Sequence, residues 1–99
     1  MNSSAFYLNR NLNLALLDGM ATDAQVDDAV FAYLATTKGR WRKVAMVFAR
    51  VTEALGEEFP EGEAGHELFD RRIQALVGEG RLAAQGDITL WRHSEVRLP

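Results

Sequence analysis

Hydrophobic residues recur every three or four positions in three stretches of the chain, which is the spacing of one face of an α-helix. In the first stretch, Thr22 and Gln25 are spaced as a capping box, in which two side chains bond to backbone amides at the start of a helix. Gly39, just past Lys38, supplies a residue suited to ending that helix. The inward positions of the predicted helix are Val26, Ala29, Val30, Tyr33 and Leu34.

The other two stretches predict a second helix that ends at Gly56 and a third that runs from about His66 to Glu79. Residues 56–65 lie between them and contain three glycines and a proline, so they predict a loop, with Phe59 packed on the core. The inward residues of the predicted second helix are Val44, Val47, Phe48, Val51 and Leu55. The inward residues of the predicted third helix are Phe69, Ile73, Leu76 and Val77. The outward residues of that third helix are Glu67, Asp70, Arg71, Gln74 and Gly78.

After Gly80 the pattern changes to that of extended strands. Leu82 and Ala84 predict a short strand, Gly86-Asp87 predicts a turn, and a second extended stretch ends at Leu98. Three helices followed by a hairpin predict a fold that is mainly α with a small β-hairpin, in a winged helix-turn-helix-like single domain.

The connection between the two predicted strands contains Ile88, Leu90 and Trp91, which are too apolar for a wing that is wholly exposed to solvent. We therefore expect this connection to fold back onto the domain. Residues 22–99 form the predicted three-helix and wing domain. Residues 1–21 fit either a short helix, because Leu8, Leu12, Ala15 and Leu16 repeat at helical spacing, or an extended arm, because Leu12, Leu14 and Leu16 alternate and asparagines disfavour helix.

Composition excludes several classes of chemistry. The chain has 99 residues, 47% of them hydrophobic, and no cysteine. It therefore has no thiolate nucleophile, no cysteine zinc site and no disulfide framework. No apolar run reaches the roughly 20 residues that span a bilayer, and the first residues lack the layout of a signal peptide. The sequence predicts a cytoplasmic protein with no membrane partner.

Charge is distributed in blocks, although the net charge is only −3. From Lys38 to Arg50 the chain carries five basic residues and no acidic one, and from Glu53 to Asp70 it carries seven acidic residues and no lysine or arginine. One interpretation is an ordinary solvated surface. The other is a surface with separate acidic and basic regions that recognises a partner.

Candidate catalytic chemistry is weak, and we predict no catalytic residue, no cofactor, no metal and no small-molecule substrate. His93 and Ser94 are neighbours on an extended segment, where side chains point to opposite faces, so they do not make a nucleophile and base pair. His66 and Asp70 stand one helical turn apart, a spacing that a divalent metal can use. An imidazole stabilised by nearby acids is the preferred interpretation of His66.

A distinctive set of residues surrounds Trp41 and continues through the last third of the chain. They are Trp41-Arg42-Lys43-Val44-Ala45, Arg72-Ile73, Leu76-Val77, Gly80-Arg81-Leu82, Gln85-Gly86-Asp87, Trp91-Arg92 and Ser94-Glu95-Val96-Arg97-Leu98. With this set, residues 22–99 resemble an uncharacterised bacterial domain family with a winged-helix-like fold. That family has no assigned activity, so the resemblance implies a fold and no functional residue.

Two functions remain open at this point. The first is a non-catalytic protein-interaction or self-association module, since a surface that carries both signs of charge can pair with a protein partner or with another copy of itself. The alternative is a DNA-binding winged-helix domain of the kind found in transcription regulators. The candidate interaction surface for either function comprises Lys38, Arg40, Arg42, Lys43, Arg71, Gln74, Arg92 and Arg97.

Overall fold

The computed structural model describes residues 20–99. The first helix, α1 (Asp23–Ala35), begins at the predicted capping box. The Thr22 hydroxyl accepts a hydrogen bond from the Gln25 amide at 3.2 Å, and the Gln25 side chain accepts one from the Thr22 amide at 2.8 Å. This arrangement satisfies two amide groups that the helix itself leaves without partners.

The end of α1 lies before the predicted stop at Gly39. The hydroxyls of Thr36 and Thr37 donate to the carbonyls of Tyr33 and Leu34 at 2.6 and 2.7 Å. Side-chain bonds of this kind compete with continued helix, and a turn follows from Thr36 to Gly39. Gly39 therefore ends that turn, with a φ of 74°, rather than the helix.

The second helix, α2 (Val44–Leu55), is preceded directly by a short strand, β1 (Arg42–Lys43). The helix ends where the sequence predicts, at Gly56, whose φ of 56° lies in the left-handed region that favours glycine. A 3₁₀ turn (Gly56–Glu58) follows. Strand β1 was not predicted, because two residues are too few to show an alternating pattern.

The third helix, α3 (Gly62–Gly78), begins before the predicted start at His66, so the prediction of a loop over residues 56–65 is wrong in its last part. Gly65 explains the difference. It is buried within the first turns of α3, where an added Cβ would collide with the Pro60 backbone and the ring of Phe59. This glycine permits close packing of a helix against the preceding segment.

Two further strands, β2 (Ala83–Gly86) and β3 (Ser94–Arg97), form the predicted hairpin. They join β1 in a three-stranded antiparallel sheet in the order β1-β3-β2. In the registers, Lys43 is opposite Glu95 across one pair of strands, and Gln85 is opposite Glu95 across the other. The fold is therefore mainly α with a small antiparallel sheet, and its order of elements is winged-helix-like, as predicted.

The connection between β2 and β3, residues 87–93, is called the wing below. It contains a 3₁₀ turn (Trp91–His93). Ile88 and Trp91 pack against the core, as expected, but Leu90 is 50% exposed and that part of the prediction is wrong. Leu90 directly precedes Trp91 and has an extended backbone, so the two neighbouring side chains point to opposite sides.

The core lies between the three helices and one face of the sheet. Its buried hydrophobic residues are Ala21, Val26, Val30, Leu34, Val44, Val47, Val51, Phe59, Phe69, Ile73, Leu76, Leu82 and Val96. Phe48 was expected among them but is half-buried at the edge of the core. The inward positions of all three helices are otherwise those of the hydrophobic pattern.

A partly buried ion pair also joins α1 to α3. The Arg72 guanidinium donates to both oxygens of the Asp27 carboxylate, each at 2.8 Å. The two side chains are only 15% and 12% exposed. Their bidentate geometry compensates for the removal of both charges from water.

Within residues 20–99, no helix is long and apolar enough to cross a membrane. The expectation of a short helix or an extended arm concerns residues 1–21, of which residues 1–19 lie outside the described residues.

Candidate interaction surfaces

Aromatic packing fixes the wing against α2 and α3. The Phe48 ring, on α2, lies 4.9 Å from the Trp91 ring and 5.1 Å from the Phe69 ring, measured between centroids. It also lies 4.9 Å from the ring of His66, which stacks on Trp91 at 5.0 Å with an angle of 27° between the planes. The position of Phe48 at the edge of the core therefore lets it contact the wing.

A hydrogen bond completes this attachment. The indole N–H of Trp91 donates to the Asp70 carboxylate at 3.1 Å, and the other oxygen of that carboxylate accepts from the Gln74 side chain at 2.8 Å. Asp70 was predicted to point outward, but it is half-buried. The burial follows from its bond to the wing, which the helical pattern alone does not reveal.

A groove lies between α3 and the wing. Its cavity has a volume of about 660 Å³ and is open to solvent, and its lining residues are Gly62, Glu63, His66, Glu67, Asp70, Thr89 and Trp91. Three of these residues are acidic, and the lining that the structure describes includes no lysine or arginine. This acidic groove lies against α3, which is the helix that would contact DNA if the chain were a DNA-binding winged-helix domain.

Two members of the predicted interaction surface, Arg71 and Gln74, lie on α3 and are held by acidic side chains. Arg71 donates to both oxygens of Asp23 at 2.9 Å, whereas Gln74 donates to Asp70. The hydrogen bond to Asp23 raises the pKa of Arg71, and the same bond lowers the pKa of Asp23 against the smaller opposing effect of burial. Both side chains therefore have intramolecular partners, Asp23 on α1 for Arg71 and Asp70 on α3 for Gln74.

The solvent face of the sheet has the opposite character. In β3 the buried residues Ser94 and Val96 alternate with Glu95 and Arg97, so the latter two face away from the core. Lys43 is opposite Glu95 in the register and shares this face. Glu95 accepts a hydrogen bond of 2.6 Å from Gln85, which occupies part of its carboxylate.

Trp41 and Arg97 form a cation–π pair at the edge of this face. The Arg97 guanidinium carbon lies 4.4 Å from the centroid of the Trp41 ring, and Arg97 also donates to the Gly39 carbonyl at 3.5 Å. These contacts bring the turn that carries Lys38 and Arg40 beside the sheet. We define the basic sheet face as Lys38, Arg40, Trp41, Lys43 and Arg97, together with the single acid Glu95.

The remaining predicted surface residues lie next to the basic sheet face. The Lys43 ammonium group donates to the Arg92 carbonyl at 3.3 Å, so Arg92 lies at the junction of the sheet and the wing. Arg42 is opposite Val96 in the register and is half-buried. Because Val96 faces the core, Arg42 lies on the other side of the sheet from Lys43. The structure therefore groups five predicted residues, Lys38, Arg40, Lys43, Arg92 and Arg97, places Arg42 on the opposite side of the same sheet, and separates Arg71 and Gln74 from all of them.

The described residues offer no cluster of three or more histidine, cysteine, aspartate or glutamate side chains arranged to hold a metal ion. His66, considered above as a ligand together with Asp70, stacks on Trp91, while Asp70 is engaged by Trp91 and Gln74. The Ser94 hydroxyl is buried and donates to the Leu90 carbonyl at 2.9 Å. Its role here is to close the wing, and it is not paired with a base.

Sequence reasoning missed three pairings that shape these surfaces: Asp23 with Arg71, Asp70 with Trp91, and Trp41 with Arg97. The two residues of each pair are far apart along the chain, and nothing in the local pattern connects them. A weak signal existed only for the tryptophans, because the sequence pattern places Trp41 beside, and not within, the apolar stripe of the second helix and gives Trp91 the opposite parity to Ile88 and Leu90. Both tryptophans are half-buried.

Comparison of the chain with known protein families, with characterised proteins and with solved structures found no match. The resemblance to a bacterial domain family therefore stays a prediction.

Proposed function

We propose that this chain is a non-catalytic protein-interaction or self-association module of winged-helix type that works in the cytoplasm. The observation that carries the proposal is the acidic groove between α3 and the wing. Glu63, Glu67 and Asp70 line the surface that a DNA-binding winged helix would present to phosphates. Phosphate groups at this surface would meet charges of their own sign.

The state of Arg71 supports the same conclusion. To contact a base or a phosphate, its guanidinium must leave two hydrogen bonds to Asp23. Gln74, the other residue suited to base contacts, would have to leave Asp70. A DNA complex at this surface would therefore lose internal contacts in addition to suffering repulsion.

The surroundings of the groove suit a protein partner. Leu90, in the middle of the wing next to Trp91, is 50% exposed and offers apolar area. The half-buried ring of Trp91 and the exposed ring of His66 form a flat wall beside the carboxylates. Aromatic and apolar groups surrounded by charged side chains are typical of protein interfaces.

A charge-matched binding assay tests this proposal. A labelled mixed-sequence DNA duplex is titrated, at low and at physiological salt, with the native chain and with a groove variant, Glu63→Gln/Glu67→Gln. The control, Glu57→Gln/Glu79→Gln, changes the net charge equally but lies outside the groove lining. We expect weak native binding at both salt concentrations and a larger gain in affinity for the groove variant than for the control.

Tight native binding at physiological salt that Arg71→Ala weakens would contradict the proposal. It would mean that α3 contacts DNA in spite of its carboxylates.

A second function, binding of a nucleic acid on the basic sheet face, is favoured by one observation. Arg97 stacks on Trp41 at the edge of this face, which also carries Lys38, Arg40 and Lys43. Basic residues near an aromatic ring are a common arrangement for contacts with phosphates and bases. DNA binding that Lys43→Gln weakens and Arg71→Ala leaves unchanged would support this function. It would be a use of the domain different from that of a typical winged helix.

A further inference from the structure

The two charged surfaces of this chain are complementary to each other. The acidic groove carries Glu63, Glu67 and Asp70 within one open cavity. The basic sheet face carries four basic side chains and one acid, Glu95, whose carboxylate is already bonded to Gln85. A single copy therefore displays both a receptor for basic groups and a set of exposed basic groups.

We propose that the occupant of the acidic groove is the basic sheet face of a second copy of this chain. This inference rests on the proposed function, and it specifies the partner as a second copy. The charges argue for it, because like charges would oppose groove-to-groove or sheet-to-sheet contact, whereas groove-to-sheet contact pairs opposite charges.

The chemistry of the two surfaces also fits. The planar guanidinium of Arg97 matches carboxylate oxygens in pairs and can stack on an aromatic ring. In the groove it meets both, since Glu63 and Glu67 line the same cavity as the stacked rings of His66 and Trp91. Lys43 is exposed, and its ammonium group, which donates to the Arg92 carbonyl, has further N–H groups for the carboxylates beside it.

Groove-to-sheet contact uses two different patches of the same chain. If both patches of each copy meet those of one partner, the assembly closes as a symmetric dimer. If each patch meets a different copy, the assembly extends beyond two. The measured mass distinguishes these two forms of the same contact.

A charge-swap experiment on the full chain tests the inference. Glu67→Lys reverses one of the three acidic charges of the groove, and Arg97→Glu reverses one of the four basic charges of the sheet face. Sedimentation equilibrium at low salt measures association of each variant alone and of their equimolar mixture. We expect native association that weakens at high salt and a loss of about tenfold or more in each variant alone. We expect recovery in the mixture, where the unchanged groove of one variant meets the unchanged sheet face of the other and the two reversed charges attract each other.

Glu57→Lys is the matched control for the groove, because it makes the same charge change at an exposed position outside the groove lining. It should leave association within about twofold of native. Since Arg97→Glu also removes the cation–π pair with Trp41, each variant is checked by thermal unfolding. If Arg97→Glu does not fold, Lys43→Glu takes its place in the experiment.

A native chain that stays monomeric at low salt over the whole concentration range would overturn the inference. A mixture of the two variants that associates no more than either variant alone would also overturn it. Neither result would contradict the proposed function. That function is contradicted separately, if the native protein binds duplex DNA through Arg71.

Discussion

The indole N–H of Trp91 donates to the Asp70 carboxylate at 3.1 Å and thereby joins the wing to α3. This bond forms one wall of the acidic groove, because both residues line its cavity. It also explains why the wing lies on the helix rather than extending into solvent. The position of the wing thus depends on a single partly buried hydrogen bond as well as on the contacts of the Trp91 ring.

Replacing Asp70 with alanine tests this relationship. The Trp91 donor and the Gln74 amide would both lose their acceptor, so we expect the free energy of unfolding to fall by about 1–3 kcal/mol. Urea unfolding followed by tryptophan fluorescence measures the change. Glu67→Ala, at an exposed position one turn away, should change stability by less than about 0.5 kcal/mol. Equal effects of the two substitutions would mean that the bond to the wing contributes nothing.

The two arginines of α3 should differ strongly in their effect on stability. Arg72 and Asp27 are 15% and 12% exposed, so Arg72→Ala leaves a nearly buried carboxylate without its partner, at a cost of about 3–5 kcal/mol. Arg71 and Asp23 are 57% and 51% exposed, and Arg71→Ala should cost about 1 kcal/mol or less. Chemical unfolding of both variants measures these values. A smaller loss for Arg72→Ala than for Arg71→Ala would refute the assignment of the buried pair.

Stability should decrease in acid partly through Asp23. Its hydrogen bond to Arg71 holds its pKa below the ordinary value of 3.8 in the folded chain. The folded state therefore binds the proton less readily than the unfolded state, so this contribution is complete above pH 3.8 and is lost as the pH falls through the folded pKa. Asp23→Asn should flatten the dependence of stability on pH in that range.

Arg71→Ala is the companion variant for this measurement. Because it removes the Arg71 partner of the same hydrogen bond, it should flatten the dependence of stability on pH in the same range. The double variant should flatten that dependence no further than Asp23→Asn does alone. Unfolding free energies measured at several pH values provide the test. An unchanged slope in Asp23→Asn would contradict the role given to this pair.

Two glycines should respond oppositely to alanine. Gly86 has a φ of 82°, and an added Cβ would collide with the His93 carbonyl, so Gly86→Ala should destabilise the turn into the wing by more than about 1 kcal/mol. Gly78 lies in the last turn of α3 with open space around it. Gly78→Ala should therefore stabilise the chain by about 0.5 kcal/mol. Melting temperatures of the two variants that change in the same direction would contradict the backbone geometry described here.

The helices were predictable because their information is local. Val26, Val30 and Leu34 repeat at the period of a helix, and the capping box at Thr22 marks where that period begins. The prediction placed the start of α3 too late for a physical reason. A glycine such as Gly65 indicates a loop in the local sequence pattern, but in the structure its missing side chain lets α3 pack closely against Phe59 and Pro60.

The candidate surfaces were predictable only in part. The basic block around Lys43 was visible in the sequence, and the structure groups most of it beside the sheet. The separation of Arg71 from that group was not visible, because its partner Asp23 lies on another helix. Which side chains pair across two elements depends on how those elements pack together. The hydrophobic periodicity of either element carries no information about that packing.

The two tryptophans provide the most direct measurement of the central claim, which is that the groove between α3 and the wing does not bind DNA. Trp91 lines the groove and Trp41 lies on the basic sheet face, and the chain contains no other tryptophan. Their two indole N–H signals can be followed by NMR while mixed-sequence duplex DNA is added at low and at physiological salt. The account predicts that the Trp91 signal and the backbone amides of Arg71 and Gln74 do not move at either salt concentration. Salt-sensitive shifts of the Trp91 indole together with those amides would contradict it.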